Sequence, residues 1–559
     1  MAKGIPPPLK PFNNWPNDAG FDVIHEERAP IELKVSGTIP SYVSGTLYRT
    51  GPGGYQVKAN CGATFSIDHW FDGFSQNHRF QIIQSGSSES PRVIYNSRRS
   101  VDPLIESIRK TGKMAGFSFG QKRDPCVGFF KKIMSMFIPD SHPPKDQANV
   151  GVTLSVNPPG LSDVDTSGGQ KKGGHASGVQ ALWAKTDAAQ FREIDPETLE
   201  PMGLATQTVL HPDLTGTLSA AHAKSDPVTG DIYNYNLALG RQQIYRVFRV
   251  SAATGKTEIL ATITDAPGAY LHSSLITENY FILCVWGAQY AWGGAKIVIE
   301  KNLLDAIAPF DPSKKALWYV IDRKHGKGVV AKYECDPFFS FHTVNAWEEP
   351  SPTDPSQIDI VADLSIYKNL DVIKRFYFNN IKSSSAGSRD YAGEKRRSCD
   401  VFLRRWRLSA VNTASPSEPR EAVTVHTAEH DHSCDLPVIN PRFLTKPSRY
   451  IYGVCDRDMS TFFDGIVKYD SQTHTPTYWS VQGHNPGEPI FVADPEGTEE
   501  DDGMLLSVVL DGYEEKSYLL VLDARTMKEV GRASMECVVG FGFHGIYHPQ
   551  SLEGPGTDI

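Results

Sequence analysis

Cysteine never occurs as a close pair in this chain of 559 residues: its eight cysteines, Cys61, Cys126, Cys284, Cys335, Cys399, Cys434, Cys455 and Cys537, stand singly with no C-x-x-C. That spacing excludes a zinc ribbon, a redox dithiol and a dense disulfide frame. Positive charge is not in excess either. Lys and Arg number 56 against 65 Asp and Glu, a formal charge of -9, so no sequence-wide field exists to hold a nucleic-acid backbone and no nucleic-acid partner is expected. Long apolar runs are missing: YFILCVW at 280–286 falls far short of the roughly 20 residues a spanning helix needs. The start, MAKGIPPPLKPFNNWPNDAG, has no apolar h-region and carries Ala2 where myristoylation needs glycine, and GPGTDI at the end has no prenylation cysteine. A cytoplasmic protein is expected, attached at most peripherally to membranes or lipid bodies. No serine-hydrolase elbow, Walker loop or G-x-G-x-x-G dinucleotide turn occurs in a strand–turn–helix context, which weakens the enzyme classes that depend on them.

What the chain does have is short runs of Val, Ile, Tyr, Phe and Thr closed by Gly, Pro, Asn or Asp. RVIYNSRR (92–99), ALWYVIDRK (316–324), DIVADLSIY (359–367) and MLLSVVLDG (504–512) are examples. Strands of this length with turn chemistry between them predict an all-β architecture. The similar turn patterns DPETLEPMG (195–203), DPVTGDIYN (226–234) and VLDARTMKEVG (521–531) fit a propeller without a strict sequence period. Three segments break the pattern. Residues 101–145 read as helix followed by CVGFFKKIMSMFIPD, in which Phe129, Phe130, Ile133, Met134 and Phe137 lie at helical spacing around Lys131 and Lys132. The stripe suits a membrane surface as well as a core-facing helix. Residues 156–178 and 382–398 are Gly/Ser/Lys-rich and are expected to be mobile loops, and 1–30 an N-terminal extension.

Four histidines sit in strand-like surroundings far apart in sequence: His222 in LSAAHAKSDP, His272 in AYLHSSLITENY, His342 in FFSFHTVNAWEE and His544 in GFGFHGIYHP. A local metal finger would cluster them. A set spread over more than half the chain converges only where strands meet on an axis, and on spacing alone a histidine of this kind is more often a satisfied core residue than a metal ligand. His426, His430 and His432 in VHTAEHDHSCD form a rival cluster in a segment crowded with charge, where a solvated strand is the competing reading. The acidic run GTEEDDG (497–503) lacks the ligand spacing of a calcium loop and reads as a solvated turn.

At these residues the sequence resembles the carotenoid cleavage oxygenase family, and within it the fungal members related to torulene dioxygenase and to stilbene-cleaving oxygenases. The resemblance runs from GTLYRTGPGGY (45–55) and HWFDGFSQNHRF (69–80), through the four histidine motifs, to EPIFVADPEGTEEDDGMLLSVVLD (488–511) and GFHGIYHP (542–549), nearly the whole chain. It implies one domain over 1–559, a seven-bladed β-propeller with a helical and loop cap over an Fe(II) held by His222, His272, His342 and His544. It further implies carboxylates behind three of them, Asp187 for His272, Asp435 for His342 and Glu488 for His544. The family usually has Glu at all three places, so the two aspartates are a departure, one methylene shorter. The implied reaction inserts O₂ across a conjugated C=C bond of an apolar polyene to give two carbonyl products. Stilbene-cleaving members use a Tyr and a Lys on the substrate phenol. The matching positions here are Arg99 and Thr186, with Lys185 one residue away and therefore on the opposite face of a strand. Both phenol-handling groups are then missing, which favours a carotenoid such as torulene over resveratrol-type stilbenes. The FFKKIMSMF stripe gains a purpose as the place where substrate leaves lipid. Stilbene cleavage and, from another class, a non-catalytic propeller scaffold are the alternatives.

Overall fold

The computed structural model describes residues 15–84, 91–114, 116–122, 147–161, 164, 178–391 and 393–550. Apart from a hairpin of Gln56–Lys58 with Thr64–Ser66, their strands form seven antiparallel blades of a propeller, blades 4 and 5 being joined by a short parallel pairing of Val329–Cys335 with Arg420–Thr427. In chain order the innermost strands are Thr153–Val156 (blade 2), the broken strand Leu218–Ser219 and Lys224–Ser225 (blade 3), Leu275–Ile276 (blade 4), Phe339–Pro350 (blade 5), Asp435–Val438 (blade 6) and the broken strand His484–Pro486 and Ile490–Ala493 (blade 7). Blade 1 closes the ring. Its innermost strand, His544–Pro549, comes from the far end of the chain and pairs with Gly45–Pro52, His544 opposite Thr50. The outer strands of that blade, Ser75–Ile83 and Arg92–Arg99, follow in register, and Ile31–Gly37 then pairs with both Arg92–Arg99 and the outer strand Glu529–Ser534 of blade 7.

Inner strands are buried on both faces, so they lose the alternation that marks a half-exposed strand. The first nine residues of Phe339–Pro350 are all buried, as is all of Gly45–Pro52. Between blades the sheets interlock through large side chains. Trp318 and Trp406, both fully buried, meet at 5.3 Å between blades 4 and 5, and each such burial contributes on the order of 2–3 kcal/mol.

Three inserts build a cap on one end of the ring. Asp102–Thr111 is an α-helix started by Pro103 and stopped by Gly112 at φ 67, where only a glycine sits without strain. Its extension is bonded to the second insert, Ser118 N donating to Lys301 O at 3.0 Å and Asn302 Nδ2 to Gln121 O at 3.0 Å. The third insert contradicts the loop expected over 382–398. It folds into short helical turns, Phe378–Ile381, Ala386–Tyr391 and Glu394–Arg397, because Arg396 is buried between Asp456 and Asp458. The described part of the N-terminal extension, residues 15–30, packs against the propeller: Phe21 is 1% exposed and lies on Phe378, Phe462 and Phe541. The stretch containing Phe129, Phe130, Ile133, Met134 and Phe137, and most of 156–178, lie outside the described residues. No helix among the described residues is long and apolar enough to cross a membrane, and the seven cysteines among them are free.

Candidate metal centre

His222, His272, His342 and His544 meet at the axis, all buried, with ligand atoms within 4.8 Å of one another. Irregular backbone puts them there. His222 lies in the gap of the broken inner strand of blade 3, His272 just ahead of Leu275–Ile276, and His342 where the pairing of its strand slips between Ser340 and Thr343. Such bulges re-aim a side chain that strict pleating would send sideways. His544 Nε2 lies 3.0 Å from His222 Nε2 and 3.3 Å from His342 Nε2.

The outer nitrogens of three rings face carboxylates. His272 Nδ1 is 2.8 Å from Asp187 Oδ1, His342 Nδ1 is 2.6 Å from Asp435 Oδ1, and His544 Nδ1 is 2.7 Å from Glu488 Oε1. A carboxylate accepts, so each Nδ1 carries the proton and each Nε2 is left with a lone pair directed at the cluster. Lone pairs facing one another at these distances repel. A shared cation resolves that repulsion, and the donor set therefore fits a metal ion; all-imidazole ligation suits iron, zinc, copper or nickel. Burial and the neighbouring imidazoles hold His222 and His544 well below the ordinary histidine range, which keeps both rings neutral and free to bind.

The carboxylates are themselves supported. Burial alone would push Asp435 up, but His342, the hydroxyl of Tyr367 and the Leu436 N–H outweigh it and hold the acid below the usual carboxylate range. Glu488 is pushed up by burial to about 7, against the pull of Arg49, whose Nη1 donates to Oε2 at 3.0 Å while Gly545 N donates to the same oxygen at 2.8 Å. Asp187 Oδ1 accepts from Ala221 N at 3.1 Å and its Oδ2 from Tyr270 Oη at 2.9 Å. His222 has no carboxylate partner among the described residues.

Two unlike environments flank the histidines. On the cap side is an aromatic wall: Phe341 lies 6.1 Å from both His272 and His342, and Phe71 joins it to Phe119, Phe376 and Phe543 at 4.8–5.6 Å. Along the axis the other way runs a cavity of about 960 Å³, lined at its inner end by His222, His342, His544 and Lys185 and reaching exposed turn residues such as Val228 and Lys324.

Residues 20–549 match the sequence model of the family described as RPE65, retinal pigment epithelial membrane protein. The chain belongs to the RPE65/carotenoid oxygenase family. A protein of Neurospora crassa named carotenoid dioxygenase is 43% identical, the match covering 97% of this chain and 94% of the relative. Torulene dioxygenase of Fusarium fujikuroi is 41% identical over 96% and 94% of the two lengths. Among solved structures, a variant of the Synechocystis apocarotenoid oxygenase (ACO) superposes with a TM-score of 0.72 at 20% identity, covering 95% of this chain and 98% of that one. That likeness establishes the propeller fold for this family member, and a cobalt-substituted form of ACO is also among the similar structures.

Two expected pocket residues are placed elsewhere in this family member. Arg99 lies on the strand three positions out from His544–Pro549, roughly 14 Å away at the usual strand spacing, and its guanidinium is held by Glu26 at 2.7 Å and Asp102 at 3.4 Å. The strand was legible, but not its rank within the blade. Thr186 is half-buried and is not part of the axial cavity; Lys185 lines that wall, as the two-residue period of a strand requires. His426, His430 and His432 do not converge. His426 bonds Tyr469 Oη at 3.0 Å, His430 faces the Val401 carbonyl, and the only group of three or more metal-capable side chains among the described residues is the axial one. In GTEEDDG, Glu500 caps the backbone of Arg449 and Tyr450, and Asp501 pairs with Lys468, so the run is a strut between blades. Arg49, Tyr270, Tyr367 and the aromatic wall were not singled out from sequence. Tyr270 carried the one available signal, two residues before His272 and on the same face if the strand were regular.

Proposed function

We propose that the chain is a non-haem Fe(II) dioxygenase that cleaves a conjugated C=C bond of a carotenoid or apocarotenoid with O₂, giving apocarotenal products, with torulene the favoured substrate. The observation that carries this reading is the convergence of four imidazoles, three backed by carboxylates, beneath an apolar aromatic wall. The names of the two fungal relatives, carotenoid dioxygenase and torulene dioxygenase, agree with it. His222, His272, His342 and His544 would hold the iron, whose chemistry when bound is to bind and activate O₂. The remaining work belongs to the protein. Phe71, Phe119, Phe341 and Phe543 offer flat apolar surface to a polyene and exclude water from the reacting bond. Asp187, Asp435 and Glu488 keep a proton on each outer imidazole nitrogen, which fixes ring orientation. One C=C bond and O₂ give two carbonyls, so the balance needs no external reductant, in keeping with a chain that lacks a nucleotide-binding turn.

A polyene is delivered from lipid, and an exposed apolar patch supports contact with a membrane surface. Trp292 is 72% exposed and Val298 64%, on the helical insert bonded to residues 118–121. The test is product analysis. Fe(II)-loaded protein is incubated with torulene, β-carotene, a β-apocarotenal and resveratrol in detergent micelles, in air and without oxygen. Oxygen-dependent apocarotenals are expected. Phenolic aldehydes from resveratrol alone would overturn the substrate assignment, and no product from any of them the catalytic one.

A further inference from the structure

The carboxylates behind the histidines fall into two kinds, and the difference follows their length. Glu488, the long one, is held by the Arg49 guanidinium and a backbone N–H. The two short ones are each held by a buried phenol. Tyr270 Oη donates to Asp187 Oδ2 at 2.9 Å, and Tyr367 Oη donates to Asp435 Oδ2; the two tyrosines are 2% and 3% exposed. Their rings are linked through one residue. Phe339 lies 6.4 Å from Tyr270 in a stacked arrangement and 6.1 Å from Tyr367, and it touches Phe341, the ring nearest His272 and His342, at 4.7 Å. The terminal torsion of an aspartate is soft and nearly two-fold. Asp435 grips His342 through one oxygen, while Asp187 presents both oxygens to His272 Nδ1, at 2.8 and 2.9 Å; in each the phenol holds Oδ2 and with it the plane of the carboxylate.

We infer that Tyr270 and Tyr367 are positioning residues: they lock the planes of Asp187 and Asp435 against His272 and His342 and thereby set metal affinity and ligand field at the four-histidine centre. The inference rests on the reading of that centre as a metal site. Aspartate and tyrosine then act as one unit, joined by the phenol–carboxylate hydrogen bond.

The test uses Co²⁺ as the probe with Tyr270→Phe, Tyr367→Phe and, as a control, Tyr452→Phe, an equally buried tyrosine whose hydroxyl donates to the Ala524 carbonyl at 3.2 Å instead of a carboxylate. Affinity is read by chelator competition, the ligand field by the visible d–d absorption of bound Co²⁺, and folding by the thermal midpoint of the metal-free protein. Loss of a residue behind a metal ligand costs about 10-fold or more in metal affinity, so Tyr270→Phe and Tyr367→Phe should each weaken Co²⁺ binding about 10-fold and shift the d–d bands, with Tyr452→Phe unchanged in both. A cycle with Asp187→Glu adds a sign: the longer acid should lose affinity beside Tyr270 and regain it in Asp187→Glu/Tyr270→Phe, where the space is vacant. Wild-type affinity and spectrum in both phenylalanine variants would overturn the inference, as would losses that match those of Tyr452→Phe. A wild-type protein that takes up no Co²⁺ would overturn the metal reading itself.

Discussion

Asp435→Asn separates the charge of the carboxylate from its shape. Asp435 Oδ1 accepts twice, from His342 Nδ1 at 2.6 Å and from Leu436 N at 2.8 Å. The second bond decides how an asparagine would sit. The Leu436 N–H needs an acceptor, and Leu436 is held at φ 48, a conformation a leucine adopts only when its surroundings impose it. The amide oxygen must therefore take the Oδ1 position, which leaves the His342 tautomer unchanged and its Nε2 lone pair still directed at the cluster. What is lost is the negative charge. A charge-assisted hydrogen bond contributes about 1.5–3 kcal/mol and a neutral one about 0.5–1.5 kcal/mol, so the imidazole loses on the order of 1–1.5 kcal/mol of polarisation, which is about 10-fold in metal affinity. The amide N–H₂ also takes the place where Asp435 accepts from Tyr367, and the phenol must rotate its proton away. Asp435→Ala removes the acceptor as well and frees the ring, so its loss should approach 100-fold. Chelator competition on metal-free protein measures both, with circular dichroism checking the fold. Asp435→Asn binding metal within 2-fold of wild type, or matching Asp435→Ala, would refute the reasoning.

His78 is 3% exposed, and burial together with the charge of Arg49 pushes it down to about 3. Its folded value lies below its unfolded one, so its neutral form supports the fold fully above about 6.5 and progressively less as pH falls toward 3; at pH 5 the loss is about 2 kcal/mol. The stability gap between wild type and His78→Gln should narrow by that amount from pH 7 to pH 5 in urea titrations, and parallel pH profiles would contradict it. Trp292→Glu with Val298→Glu removes two large apolar side chains from the exposed patch; at about 1.5–3 kcal/mol for burying each, vesicle binding in flotation assays should fall at least 10-fold, and undiminished flotation would place the membrane contact elsewhere.

Legibility from sequence followed the range of the forces. Strand runs such as 92–99 and 504–512 were readable because short-range turn chemistry bounds them, and the four histidines because their motifs recur in order in a known family. Position within a blade was not readable. An inner strand is buried on both faces and an outer one on fewer, yet Arg92–Arg99 is also largely covered, so local pattern gave no rank and Arg99 was brought into a pocket it does not reach. Residues 382–398 misled for the opposite reason. Their Gly/Ser/Lys composition marks a loop, and it is the distant Asp456 and Asp458, meeting Arg396, that fold the segment. Tyr270 and Tyr367 escaped notice because what matters is the atom their hydroxyls face, 83 and 68 residues away in sequence.

The arithmetic of the ring explains why the site carries four histidines and three carboxylates. His222, His272, His342 and His544 come from blades 3, 4, 5 and 1, and Asp187, Asp435 and Glu488 from blades 2, 6 and 7. Each blade sends one group toward the axis; His272 of blade 4 reaches across to Asp187 of blade 2, whereas two pairs join neighbouring blades: His342 leans on the acid of the next blade, and His544 on the acid of the blade before it. The second of these pairs straddles the point where the ring closes. His544 reaches its place only when His544–Pro549 has paired with Gly45–Pro52 from the other end of the chain, and Arg49, on that same strand, is what stabilises Glu488. Anything that binds the assembled cluster and not the open chain stabilises closure through its binding free energy. A metal bound there would therefore act on the fold at the seam, joining the closing strand to blades 3, 4 and 5, and the centre would serve as a clasp for the propeller.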